Sequence, residues 1–150
     1  MRAVIQRVNK AVVKTESGHN HSIGMGLLIL LGIETDDNMD DVQWLCGKII
    51  RLRIFNDENG VMNYSVQDVN GEIMIISQFT LHASTKKGNR PSYIKAAPSE
   101  IAIPLYEDFL IQMKNYTGKY PKHGIFGDYM EITLVNNGPV TILIDTKNKE

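Results

Sequence analysis

Ser77-Gln78-Phe79-Thr80 places a hydroxyl, a carboxamide, an aromatic ring and a second hydroxyl in four consecutive positions. Within six residues of them, only His82 titrates near neutral pH, so an ordinary acid–base pair is not on offer. Hydroxyls, an amide and backbone N–H groups instead suit hydrolysis of an already activated bond, where a water must be oriented and a developing oxyanion stabilised. Thr80 as a nucleophile would need a base, and on a strand His82 would share its face. Between Ile73 and Ser99 there is no Asp or Glu, while Lys86, Lys87, Arg90 and Lys95 all fall there. By charge alone this is a solvated loop. Placed directly after the polar tetrad, it reads as a local field for phosphates.

The second unusual stretch is "NNGPVT", Asn136 to Thr141. Proline has no N–H and is kept out of central strands, so Gly138-Pro139 lies in a turn or bulge. A tight hairpin turn is its simplest account. X-Pro bonds are cis in only about 5–6% of folded cases, so the isomer is not legible in the letters.

Several chemistries drop out. The single cysteine, Cys46, permits no internal disulfide and falls on the apolar stripe of a helix, where nothing lowers its pKa. His19, His21, His82 and His123 form no helix-spaced pair with a carboxylate, and His19 and His21 read as a solvated hairpin turn, so no metal site is expected. No glycine-rich phosphate loop and no nucleophile elbow is present, and no cofactor is implied.

The elements that must position these residues follow from periodicity. "RAVIQRV" and "AVVKTE" alternate as two strands joined at Asn9-Lys10, and "GLLILLGI" is a continuous apolar run suited to a strand covered on both faces. Val42, Leu45, Cys46, Ile49 and Ile50 make the stripe of a first helix, acidic at its start and basic at its end. "NDENGV" signals a hairpin. "EIMIIS" and "FTLHA" read as strands running nearly together through Ser77-Gln78. Leu105, Tyr106, Phe109, Leu110 and Met113 stripe a second helix that stops at Gly118 and tolerates Pro104 only near its first turn. "YMEITLVN" and "VTILIDT" close the chain as two strands around "NGP". The expectation is one α+β domain over residues 1–150, with a mixed, largely antiparallel sheet and two main helices. Its 43% hydrophobic and 22% charged residues and net charge of −1 are those of a soluble globular protein, with no apolar run long enough for a bilayer. No signal peptide is apparent, which makes the cytoplasm the default location.

"SQFTL" followed by "KKGNRPS", a terminal "NNGPVT" and an opening "MRAVIQRV" together resemble the D-aminoacyl-tRNA deacylases over essentially the whole chain. A related deacylase group carries PQATL in place of the first motif, so SQFTL favours the D-specific branch. The resemblance implies a homodimer with a barrel-like sheet, tRNA as partner, and two composite active sites. In them a cis Gly138-Pro139 from one subunit would face the bound amino acid in the other, held by Arg7. Ser77, Gln78, Phe79 and Thr80 would surround the ester and terminal adenosine. Phe126, Gly127, Met130 and Asn137 would contribute to substrate binding, and Lys86, Lys87 and Arg90 would meet tRNA phosphates. The family follows Phe-Gly with alanine, whereas this chain has Asp128.

Overall fold

The strand that organises the sheet is β1 (Arg2–Thr15), 14 residues long, in the computed structural model of residues 1–150. The two strands expected around Asn9-Lys10 are one, interrupted by register shifts against β8 (Met130–Asp145). Along one side of β1 lie β2 (Asn20–Ile23) and β3 (Gly26–Gly32), both antiparallel to it, and along the other runs β8. Gly26–Gly32 is buried on both faces, as its unbroken apolar run requires.

From β3 the chain crosses through α1 (Met39–Ile50) and the small hairpin β4 (Phe55–Asn56) and β5 (Met62–Tyr64) to β6 (Glu72–Ser77). It then crosses through α2 (Ser99–Thr117) to β7 (Lys122–His123). β6 is parallel to β3 and β7 is parallel to β6. The sheet is therefore more parallel than the sequence suggested. Parallel neighbours need long crossovers, and each of the two helices supplies one. The path β2-β1-β3-β6-β7 curls until β2 and β7 meet, so the sheet nearly closes into a barrel.

α1 is set by its ends as much as by its stripe. Asn38 Oδ1 accepts the Asp40 N–H at 2.8 Å, and the Asp41 carboxylate accepts the Asn38 N–H at 3.1 Å, a reciprocal cap. α2 ends where Gly118, at φ +73°, donates its N–H to Lys114 O. It begins at Ser99, earlier than Pro104 suggested. The bond that Pro104 cannot make would have gone to the Glu100 carbonyl on an exposed first turn, where water can serve it.

The larger core packs α1 and α2 on the sheet, through Leu27, Ile29, Leu31, Ile49, Ile75 and Phe109. A smaller one, with Val8, Val13, Leu28, Met74 and Ile76, fills the other face. Cys46 belongs to the larger core. Its thiol sits 3.7 Å from Phe109 O, and burial pushes its pKa far up, leaving it inert. No helix is long and apolar enough to cross a membrane.

Candidate functional site

The β3–β6 ladder ends at Ser77, which faces Leu31, and Gln78 donates its N–H to Leu31 O at 2.7 Å. The chain does not continue as a strand through "FTLHA". Phe79–His82 is a 3-10 turn, closed by Leu81 N–H to Gln78 O and Ala83 N–H to Thr80 O. Arg2 pins the turn by donating to Leu81 O at 3.0 Å, and is itself paired with Asp145 at 2.8 Å. These bonds leave the N–H groups of Phe79 and Thr80, at the head of the turn, unused by the turn itself.

The turn also changes the relation of Thr80 to His82. Successive residues of a 3-10 helix are about 120° apart, so positions two apart diverge. His82 is buried against Gly32, and burial holds its pKa below the ordinary histidine value, with a smaller opposing effect from Gly32 and Glu34. The Thr80 hydroxyl accepts instead from the Gln78 amide. The expectation that His82 shares the face of Thr80 is therefore corrected.

Ser77, Gln78 and Phe79 line a cleft of ≈ 280 Å³, with Phe126, Gly127 and Met130 on its far wall. That wall is a turn in which Asp128 donates its N–H to Ile125 O and Gly127 takes φ +78°, a conformation suited to glycine. Phe126 packs on Tyr106, their rings 5.8 Å apart, and the Tyr106 hydroxyl donates to Ile75 O at 2.9 Å. Asp128 also lines the cleft. Its carboxylate accepts from the Ser17 hydroxyl at 2.5 Å, which with further backbone bonds lowers its pKa and ties the wall to the β1–β2 turn. Ile33, Ala97, Ala102 and Tyr129 also line the cleft. Sequence reasoning passed over them because they are single apolar or aromatic residues on four separate segments.

Phe79 is 56% exposed and stacks edge-on against Tyr93, ring centroids 5.0 Å apart. Tyr93 was likewise not singled out, since it lies in a loop without periodicity. That loop is pinched where Ser84 and Ser92 exchange backbone bonds of 2.8 and 2.9 Å. Lys86, Lys87 and Arg90 occupy the excursion between them, all exposed and none in an ion pair. They stand beside the cleft and do not line it.

Gly138-Pro139 lies elsewhere on the surface. It is not a turn between two strands but a bulge inside β8: Val8 faces Asn136 and Gln6 faces Thr141, so Asn137 to Val140 stand opposite Arg7 alone. The peptide bond is cis, and Gly138 has φ +129°. A Cβ on Gly138 would come within 2.8 Å of Val140 Cγ2 and 3.0 Å of Arg7 Nη2. Arg7, 7% exposed, binds the bulge to the interior. Its Nε donates to Asn137 O at 3.1 Å, while Nη1 donates to Ile54 O at 2.5 Å and Asn56 Oδ1 at 3.3 Å. Asn137 Nδ2 donates to Asn9 Oδ1 at 2.8 Å, and the Val140 N–H donates to Asn136 Oδ1 at 3.1 Å. Gly138 and Pro139 are exposed in the single chain and do not touch its own cleft.

The comparisons agree with the two motifs. A family model described as D-Tyr-tRNA(Tyr) deacylase matches residues 4–145. Proteins called D-aminoacyl-tRNA deacylase from Flavobacterium psychrophilum and Bacteroides thetaiotaomicron are each 59% identical over 150 residues, covering both chains in full. The structure of a protein called c-Myc DNA Unwinding Element Binding Protein is 40% identical, with a TM-score of 0.91 over 97% of this chain and 99% of that one. The structure of a probable eukaryotic D-amino acid tRNA deacylase, 16% identical with a TM-score of 0.81 over 95% and 97% of the two chains, shows the same fold. With full-length matches, a shared fold, and both SQFTL and the Gly138-Pro139 bulge in place, the chain belongs to the D-Tyr-tRNA(Tyr) deacylase family.

Proposed function

We propose that this protein hydrolyses the ester of D-aminoacyl-tRNA, and of glycyl-tRNA, to free tRNA and amino acid, without a cofactor, as a cytoplasmic homodimer. The observation that carries the reading is the head of the 3-10 turn, where the N–H of Phe79, a residue that lines the cleft, and that of Thr80, next in the chain, have no partner in the turn. The terminal adenosine stacks in the cleft between Phe79 and Phe126. Water adds to the ester carbonyl carbon, and the oxyanion that forms is held by the Phe79 and Thr80 N–H groups. Collapse breaks the C–O bond, the ribose oxygen leaves and takes a proton, and the neighbouring ribose hydroxyl relays it. The protein acts chiefly by positioning.

Thr80 as a covalent nucleophile is disfavoured, because the only nearby base in the sequence is the buried His82. Trapping an acyl group on Thr80 would restore that reading.

Chirality is read by exclusion. Gly138 and Pro139 of a second copy project their carbonyl oxygens against the α-carbon, leaving room for hydrogen and not for an L-side chain. Support for a trans arrangement is their exposure outside their own cleft, together with exposed apolar residues on the same strand, Val135 and Leu143, the latter 75% exposed. The deciding experiment is incubation with D- and L-tyrosyl-tRNA side by side, with glycyl-tRNA as a third arm, following ester loss. D-tyrosyl- and glycyl-tRNA should be consumed and L-tyrosyl-tRNA spared. Survival of glycyl-tRNA would refute steric exclusion. A non-catalytic nucleic-acid-binding role, suggested by the exposed Lys86–Arg90 excursion and the DNA-element-binding relative, predicts no change in any ester lifetime.

A further inference from the structure

The seam at which β2 meets β7 carries three histidines from distant parts of the chain. His19 and His21 have ring centroids 4.2 Å apart, and His123 lies 5.8 Å from the first and 5.9 Å from the second. The His123 Nδ1 donates to Gly124 O at 2.6 Å, which leaves its Nε2 free. The ring of His21 makes no hydrogen bond to protein, and His19 Nε2 is buried without a partner. The cluster is thus short of hydrogen-bond partners.

Its surroundings are cationic. His21 is pushed below the ordinary histidine value by burial, then by His19, Lys122 and His123. Tyr120 packs edge-on to His123, with Lys114 Nζ 6.0 Å from the centre of its ring. Of the carboxylates on adjoining elements, Glu72 accepts the Gly24 N–H and Asp128 accepts from Ser17, while the Glu16 and Glu131 side chains make no hydrogen bond or ion pair, Glu131 lying opposite Lys14 on the β1–β8 ladder. Glu16, at the turn, donates its backbone N–H to Tyr129 O. The three rings do not form a group that could hold a metal ion. His21, partly buried and crowded by two further imidazoles and the Lys122 ammonium, resists protonation, and an anion placed beside it would reverse that balance.

We propose that His19, His21, His123 and Lys122 form a proton-linked binding site for a backbone phosphate of the RNA strand whose end lies in the cleft. The inference rests on tRNA being the substrate. Geometry supplies the connection: three residues after His123 the chain reaches Phe126 on the cleft wall, a span of at most about 10 Å. A strand anchored by its terminal nucleoside would therefore pass the seam with a preceding phosphate. Lys122 supplies a fixed positive charge, and His21 adds to it when RNA is bound.

The test is the affinity of uncharged tRNA for the full chain between pH 8 and pH 6, at fixed ionic strength and with EDTA, alongside hydrolysis of D-tyrosyl-tRNA by the same preparations. Wild-type affinity should tighten by about threefold or more on acidification, a single proton capping it at about tenfold per pH unit. In the His21→Asn/His123→Asn double variant that dependence should vanish, and the log–log salt slope should become shallower by roughly 0.7, the value for one single-strand phosphate contact. His21→Lys, whose charge does not titrate in this range, should bind tightly and without pH dependence, and it decides the matter if the double variant fails to fold. An unchanged pH dependence in either variant overturns the site, as does a dependence seen only without EDTA, which would mean a metal. Pronounced pH-linked binding with no hydrolysis of D-tyrosyl-tRNA would leave the site standing and refute the proposed activity.

Discussion

Arg7→Met tests whether the Gly138-Pro139 bulge is held in shape from within. The guanidinium makes two well-formed bonds to backbone carbonyls, Asn137 O at 3.1 Å and Ile54 O at 2.5 Å, and longer ones to Asn56 and Asn137 side chains at 3.3 and 3.5 Å. No carboxylate pairs with it, so its binding energy is that of charge-assisted hydrogen bonds. Each such bond contributes about 1.5–3 kcal/mol, and removing the donor leaves a carbonyl unsatisfied. Against this, methionine restores much of the apolar stem and relieves the desolvation of a charge. The balance for two principal bonds is a loss of about 2–4 kcal/mol, a large part of the roughly 5–15 kcal/mol of a whole domain. At an m-value of about 2 kcal/mol per M urea, the unfolding midpoint should fall by about 1–2 M. The same variant should lose discrimination between D- and L-tyrosyl-tRNA before it loses turnover of the D-ester, because the bulge moves while the cleft of Ser77–Phe79 does not. Arg7→Lys should not rescue, since a single ammonium cannot serve carboxamide and carbonyl acceptors on two segments. A midpoint within about 0.2 M of wild type, about 0.4 kcal/mol at that m-value, together with intact selectivity would refute the reasoning.

Gly138→Ala should erode selectivity more than stability, because its Cβ meets Val140 Cγ2 at 2.8 Å in an exposed bulge at φ +129°; D/L rate ratios measure it, and an unchanged ratio would separate the bulge from chiral recognition. Lys86→Ala/Lys87→Ala should weaken all tRNAs alike and reduce the salt slope by up to about 2, read by filter binding at several salt concentrations; an effect on one tRNA alone would contradict a phosphate contact. Thr80→Val should fold normally, since Thr80 is only half-buried, and near-wild-type turnover would leave the backbone amides as the working groups. For Asp41, burial opposes the charge, but bonds from Lys147, Thr146 and Asn38 outweigh it and hold its pKa below the ordinary carboxylate value. Its folded pKa is thus below the unfolded one, so its contribution is present above that value and is lost as pH falls through the folded pKa. Asp41→Asn should therefore narrow its stability deficit in acid, measured by urea unfolding from pH 6 to pH 2.5; a constant deficit would refute the linkage.

Much of the framework was legible in the letters because it is written at short range. The stripe from Val42 to Ile50 and the stripe from Tyr106 to Met113 each bury the faces expected, and "GLLILLGI" is covered on both sides. Gly118 ends the second helix by chemistry contained within a few residues. The two polar motifs also stood out locally, as hydroxyls and an amide after an apolar run, and as a proline where a central strand should be.

What eluded the sequence depends on where separate segments end and meet. "FTLHA" alternates well enough for a strand, yet the ladder with β3 ends at Leu31 and the segment turns into a 3-10 helix packed against Gly32. That one event separates Thr80 from His82 and frees two amides. Arg7 and Asn137 are 130 positions apart, and His123 is more than 100 from His21, so no window along the chain could couple them. β7, two residues long, carries no period at all, and its place was set by β6 beside it. Periodicity is a property of neighbours in the chain, and it is read from the chain. A cleft, a clamp or a cluster is a property of neighbours in space, decided when strand pairing and core packing bring the segments together.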